Sequence, residues 1–197
     1  MISVNTFLEK ISYKEIVASL ADVMAANLEE FAADQSHFHE TIALLESELG
    51  EGSAPSVSDM VDAIYQQIGS SLLFSCFLGF KANFDHFIDP IGRTFLDVDS
   101  EVYLREDVAK RFPDYQNAQR VQEQFYAALS PKQQDTYENI TAYMSHLETV
   151  GPKLAHYYGY VLGNQLFPRA IPGYVADSQL TLRYRHMLET YLGTHIQ

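Results

Sequence analysis

Tryptophan is absent from these 197 residues, cysteine occurs once, and lysine plus arginine number only 13. The lone Cys76 lies in an apolar run and cannot form an intramolecular disulfide, which excludes a covalently stapled fold. A buried free thiol of this kind fits a reducing cytoplasm, the expected location. No basic stretch followed by an apolar run opens the chain, so no secretory leader is expected. Long apolar runs are missing too. The longest uncharged span, Ala63 to Phe80, contains Gln66, Gln67, Gly69, Ser70, Ser71 and Ser75 and is too polar to read as a membrane span.

The scarcity of bases leaves 26 acidic residues uncompensated and a formal charge of −13. The imbalance is local. Residues 1–99 hold 16 acids against 4 bases, and residues 100–197 hold 10 against 9. A field of this sign repels nucleic acid and anionic membrane and attracts basic protein surfaces. The only basic-aromatic cluster, Arg169 with Arg183, Tyr184 and Arg185, is too small for a direct nucleic-acid reader. The chain therefore reads as an acidic helical half, 1–99, and a near-neutral helical half, 100–197, packed as one domain.

What is present is helical periodicity, nearly throughout. Ser12 with Glu15 has the spacing of a capping box, followed by Ile16, Leu20, Val23 and Phe31 on one face. Phe38, Ile42, Leu45 and Leu49 extend the pattern, and EGSAPS is a turn. Ser56 with Asp59 starts a helix carrying Met60, Ile64, Ile68 and Leu72. That helix then becomes apolar all round, which predicts a place inside a bundle. Asp89-Pro90 ends it, and a short helix is expected over 101–111. Tyr115, Ala118, Val121, Phe125 and Leu129 mark the next helix. Ser130-Pro131 with Gln133 caps another, running to Leu147. Gly151-Pro152 opens a helix ending at Phe167, PRAIPGYVAD is a loop, and a last amphipathic helix begins at Asp177 or Ser178. No alternating strand pattern appears. The prediction is an all-α bundle of six to eight helices, which can be divided into two related helical-hairpin halves.

Chemistry is harder to find. His37/Glu40, His86/Asp89 and His186/Glu189 each set a histidine and a carboxylate on one helix face, as metal sites in bundles require. The di-iron pattern places Glu before His, however, and no HExxH motif or Cys/His cluster accompanies them, so surface ion pairs explain them better. No phosphate-cradling glycine loop and no GxSxG elbow exists. No catalytic residue, metal or cofactor is assigned. A metal-dependent bundle enzyme built on the His/carboxylate pairs stays as an alternative.

Two surfaces remain as candidates. Glu29, Glu30, Asp34, Glu40, Glu46 and Glu48 could form an acidic face that blocks a partner with a basic surface, such as a nucleic-acid-binding enzyme. Tyr157, Tyr160 and Tyr184 could instead line a ligand pocket in a sensor module, because tyrosine offers an apolar body and a polar tip.

The layout PDYQNAQRVQEQFYAALSPKQQDTYENI, a break, and YYGYVLGNQLF resembles an uncharacterised family of short helical proteins from Firmicutes and their mobile elements. Those proteins share a Pro-x-Tyr entry, a helix ending in Leu-Ser and a closing Gly-Phe-Arg-Leu-Gly helix. Here the last motif is Gly159-Tyr160-Val161-Leu162-Gly163, with valine where the family has arginine. The resemblance implies no activity. It implies a phage or mobile-element origin and nothing more; the inhibitor reading, anti-CRISPR-like or otherwise anti-defence, comes from the acidic charge of residues 1–99. An internal echo is also present. Residues 77–87 (FLGFKANFDHF) align with 157–167 through Gly79/Gly159, Phe87/Phe167 and two Phe/Tyr matches. Glycine inside a helix is costly, by about 1 kcal/mol against alanine, so Gly79 and Gly159 predict close helix approach.

Overall fold

A computed structural model describes residues 13–27, 29–49, 56–88, 113–176 and 178–194. Within them the chain is an all-α helical bundle. Eight helices are described: α1 (Tyr13–Asn27), α2 (Glu29–Leu49), α3 (Val57–Ile88), α4 (Pro113–Ala128), α5 (Pro131–Glu138), α6 (Ile140–Thr149), α7 (Gly151–Ala170) and α8 (Ser178–Thr194). The expected capping at Ser12 and the short helix over 101–111 lie outside the described residues.

Local chemistry explains where helices start. The Ser56 hydroxyl accepts from the Asp59 amide at 3.1 Å, and the Asp59 carboxylate accepts from the Ser56 amide at 3.0 Å. That reciprocal box satisfies donors that the first turn otherwise leaves free. These bonds hold the Asp59 carboxyl below its usual range. Gln133 plays the corresponding part for Ser130, accepting from its amide at 3.0 Å.

Three boundaries differ from the sequence reading. The helix expected over 130–147 is interrupted at Asn139, whose amide turns back to the Thr136 carbonyl. At Gly151-Pro152 no loop intervenes, because Val150 keeps right-handed helical angles and its carbonyl accepts from the Leu154 amide. α7 continues past Phe167 to Ala170 with Pro168 inside. Proline there removes one donor in the final turn, where few further bonds remain to be lost.

The chain divides into two compact units that interleave along it. Unit 1 is residues 1–70 with 109–147; unit 2 is 71–108 with 148–197. α3 is assigned to unit 1 through Ser70 and to unit 2 from Ser71. By length and composition alone Val57–Phe84 would suffice to cross a membrane, but 56% of its apolar window is buried, as expected of a core helix.

Unit 1 is built on aromatic stacking. Tyr143 of α6 stacks on Phe38 at 4.5 Å between ring centroids and on Phe31 at 5.3 Å, both from α2. Tyr65 of α3 meets Phe38 edge-on at 6.5 Å. Burial, with Tyr65 beside it, pushes the Tyr143 hydroxyl well above its usual range. The apolar line Met60, Ile64 and Ile68 of α3 is fully buried, as its spacing predicts. Across the same unit, Gln122 of α4 donates to Gln67 of α3 at 2.7 Å.

Candidate functional site

The acidic helix α2 carries no lysine or arginine. Its six candidate carboxylates do not form one face. Glu29 and Glu40 are exposed and lie three turns apart on one line, since eleven residues return the helix nearly to its starting angle. Leu44, 47% exposed, continues that line. Glu46 is exposed about a third of a turn away. Asp34 and Glu48 lie on the flank that meets α5 and α6. The Asp34 carboxylate is 2.6 Å from His146 Nδ1, and Glu48 accepts from Lys132 at 3.0 Å. The side chain of Glu30 is outside the described residues.

The Asp34–His146 pair is the feature that sequence reasoning missed. The partners are 112 residues apart, so no spacing announces them. The His146 ring also lies edge-on to Phe31 at 6.3 Å, which ties the Asp34 contact to the aromatic stack. Of the His/carboxylate pairs, His37 and Glu40 are 3.6 Å apart in solvent, with about three-quarters of each side chain exposed. Glu189 is taken by Arg185 at 2.8 Å, a surface ion pair other than the one with His186. His86 and Asp89 are outside what the structure describes at side-chain level. Among the described residues no three His, Cys, Asp or Glu side chains gather as a metal group.

Unit 2 holds the denser construction. A β-carbon on Gly79 would lie 1.8 Å from the His156 carbonyl oxygen, and one on Gly159 would lie 1.8 Å from the Cys76 carbonyl oxygen. The relation is reciprocal: each glycine faces the carbonyl three residues before the other glycine. Farther along, Asn83 meets Tyr160, Gly163 and Asn164, and Phe84 meets Phe167. α3 and α7 therefore run in the same direction here, and the aligned repeat is a quasi-twofold helix crossing. α7 buries the small residues Gly151, Ala155, Gly159 and Gly163 together with His156, Tyr160 and Phe167. Tyr158, Leu162 and Leu166 are 55%, 42% and 43% exposed along the opposite edge. On α3, Phe77 is 48% exposed, so the stretch that is apolar all round is not buried all round. Small residues at the contact let the backbones close.

Beside the crossing is a polar network. Asn83, 1% exposed, donates one amide hydrogen to the Tyr160 carbonyl and the other to Asn164 Oδ1, each at 2.9 Å. Its own Oδ1 accepts from the Tyr174 hydroxyl at 2.5 Å, and Asn164 Nδ2 donates to Thr181 at 2.9 Å. Gly163 leaves the room that the Asn83 side chain fills. Of the pocket tyrosines, Tyr160 is 1% exposed, a core residue, while Tyr157 is half-buried and the Tyr184 side chain is not described.

No protein-family model, curated protein or solved structure matches the chain.

Proposed function

We propose that the chain acts by binding another protein, presenting α2 to a basic surface. The observation that carries this reading is a helix of 21 residues with six carboxylates and no lysine or arginine. Three of those carboxylates, Glu29, Glu40 and Glu46, stand in solvent. Such a helix gathers a negative potential that steers and orients a positive partner. The partner class is a nucleic-acid-binding enzyme, whose basic groove these carboxylates occupy in place of phosphates. The inhibitory, anti-defence role in the cytoplasm is inferred from the acidic charge of residues 1–99, and the resemblance of residues 113–167 bears on origin alone.

The test is capture of basic proteins from a bacterial host lysate on immobilised protein, at low and high salt. A nucleic-acid-binding protein held at low salt should be released by salt and lost with Glu29→Lys/Glu40→Lys/Glu46→Lys. Salt-insensitive capture, or capture unaffected by the triple reversal, sinks the reading.

A second reading places the contact on unit 2. It rests on the exposed line Tyr158, Leu162 and Leu166, which recur at four-residue spacing along α7. Exposed apolar side chains in a contiguous row mark interaction sites. The two readings separate cleanly, because Leu162→Asp would then abolish a salt-insensitive capture that the triple reversal leaves intact.

A further inference from the structure

Two exposed helix faces match each other. On α7, Tyr158, Leu162, Gln165 and Arg169 follow one line, at offsets of 0, 4, 7 and 11 residues. On α2, Glu29, Ala33, Ser36 and Glu40 follow a line with the same offsets, and every residue of both lines is exposed. We propose that α2 of one copy docks against α7 of a second copy, so that the chain assembles head to tail.

Shape favours the pairing. The α7 line is bulky, with Tyr158 55% exposed, Leu162 42%, and Leu166 beside them 43%. The α2 line is small between its two glutamates, where Ala33 and Ser36 stand. Large side chains of one helix can therefore seat over small ones of the other, and the docking removes a contiguous apolar row from water. Leu44, 47% exposed, extends the α2 side by one more turn.

Charge selects the same partner. α2 has six carboxylates and no lysine or arginine, whereas α7 has Lys153 and Arg169 and no carboxylate. With the helices parallel and Tyr158 beside Glu29, the shared offsets bring Arg169 beside Glu40, about 16 Å along the seam. Arg169 has no ion-pair partner among the described residues. Glu40 is 3.6 Å from His37, in solvent. Pairing of like helices satisfies neither group: two α7 helices leave Arg169 without a carboxylate, and two α2 helices set carboxylates against each other. The contact is therefore heterologous, each copy offers one α2 and one α7, and addition continues until a ring closes. This inference rests on the exposed α7 line of the second reading and names what covers it.

Sedimentation velocity on the full chain at low salt, over a series of concentrations, tests this. The wild-type protein should gain mass as concentration rises, and Leu162→Asp should stay monomeric. Glu40→Arg and Arg169→Glu should each weaken association about tenfold, because each sets like charges together. An equimolar mixture of those two variants should restore it, since alternating copies pair arginine with glutamate at every junction. A wild-type monomer at every concentration overturns the proposal, as does a mixture that stays dissociated. Association that ignores both charge reversals overturns it too, and points to α7 pairing with itself. If the wild-type protein is monomeric while Leu162→Asp still abolishes capture from lysate, a different protein covers the α7 line; the second reading then stands and self-assembly falls.

Discussion

Gly79 and His156 touch through backbone: a β-carbon at Gly79 would stand 1.8 Å from the His156 carbonyl oxygen, with Cys76 and Gly159 in the reciprocal relation. Backbone cannot swing aside as a side chain can, so this contact fixes the distance between α3 and α7. The glycines differ in what surrounds them, and that difference orders a substitution series. Gly79→Ala and Gly159→Ala should each cost ~3 kcal/mol, near the upper end of ordinary overpacking. Gly159→Leu should cost more. At Gly163 the atoms nearest a β-carbon belong to the Asn83 side chain, from 2.8 Å, and Gly163→Ala should cost about 1 kcal/mol. Gly173→Ala meets nothing within 4 Å, but its φ of +81° should still cost roughly 1 kcal/mol. Urea midpoints measure the whole series. Equal midpoints for Gly159→Ala and Gly163→Ala would mean that the crossing is looser than it looks.

Asp34 and His146 give a second expectation. Their 2.6 Å contact is partly exposed, with 22% and 35% of the side chains open, so screening limits its strength. A double-mutant cycle with Asp34→Asn and His146→Gln should return a coupling of about 1 kcal/mol. Lys132 and Glu48, 3.0 Å apart, should couple more weakly because the Lys132 side chain is 83% exposed. If the two cycles gave the same value, burial against Phe31 would contribute nothing to the first pair.

Glu48 also has an oxygen, Oε2, that is buried without a hydrogen-bond partner among the described residues. A carboxylate placed so is stabilised only through its other oxygen and the Lys132 ammonium. Glu48→Gln offers hydrogens in place of charge and should leave the melting temperature unchanged or slightly higher. A marked drop would show that the Lys132 contact outweighs the desolvation of the carboxylate.

Much of the fold was legible because helices report themselves locally. The lines Met60–Ile64–Ile68 and Tyr115–Ala118–Phe125 predict their own burial by spacing. The capping pairs Ser56/Asp59 and Ser130/Gln133 act within four residues, so sequence contains both partners. Even the crossing could be seen, because a glycine weakens an apolar helix unless a neighbouring backbone needs the space. What stayed hidden depends on distant partners. Nothing in sequence says that Asp34 turns inward to His146 while Glu40 faces solvent, and a count of six carboxylates thereby overstated the acidic face. The network of Asn83, Asn164, Tyr174 and Thr181 was invisible for the same reason, as each residue alone is ordinary. α7 misled by its apolar content. Hydrophobicity predicts burial, whereas the inside of α7 holds Gly159, Gly163 and Ala155 beside His156, Tyr160 and Phe167, and Tyr158 and Leu162 stay outside.

His156 makes the crossing acid-sensitive. Its ring is 3% exposed, and burial lowers its pKa from 6.5 to about 4. The fold thus holds the neutral imidazole, while the unfolded chain takes up a proton near pH 6.5. Between those values the unfolded state binds more protons, so stability falls as pH drops from about 6.5 to about 4 and loses nothing further from this group below that. The full difference amounts to ~3 kcal/mol. Carboxylates titrate mainly toward the lower end of that window, so the discriminating range is pH 6.5 to 5. Over it, wild-type stability in urea should slope downward, and His156→Gln should remove most of the slope while lowering stability at pH 7.5. Parallel slopes in the two proteins would show that the imidazole titrates freely in the folded state and that the ring is less enclosed than its neighbours Gly159 and Tyr160.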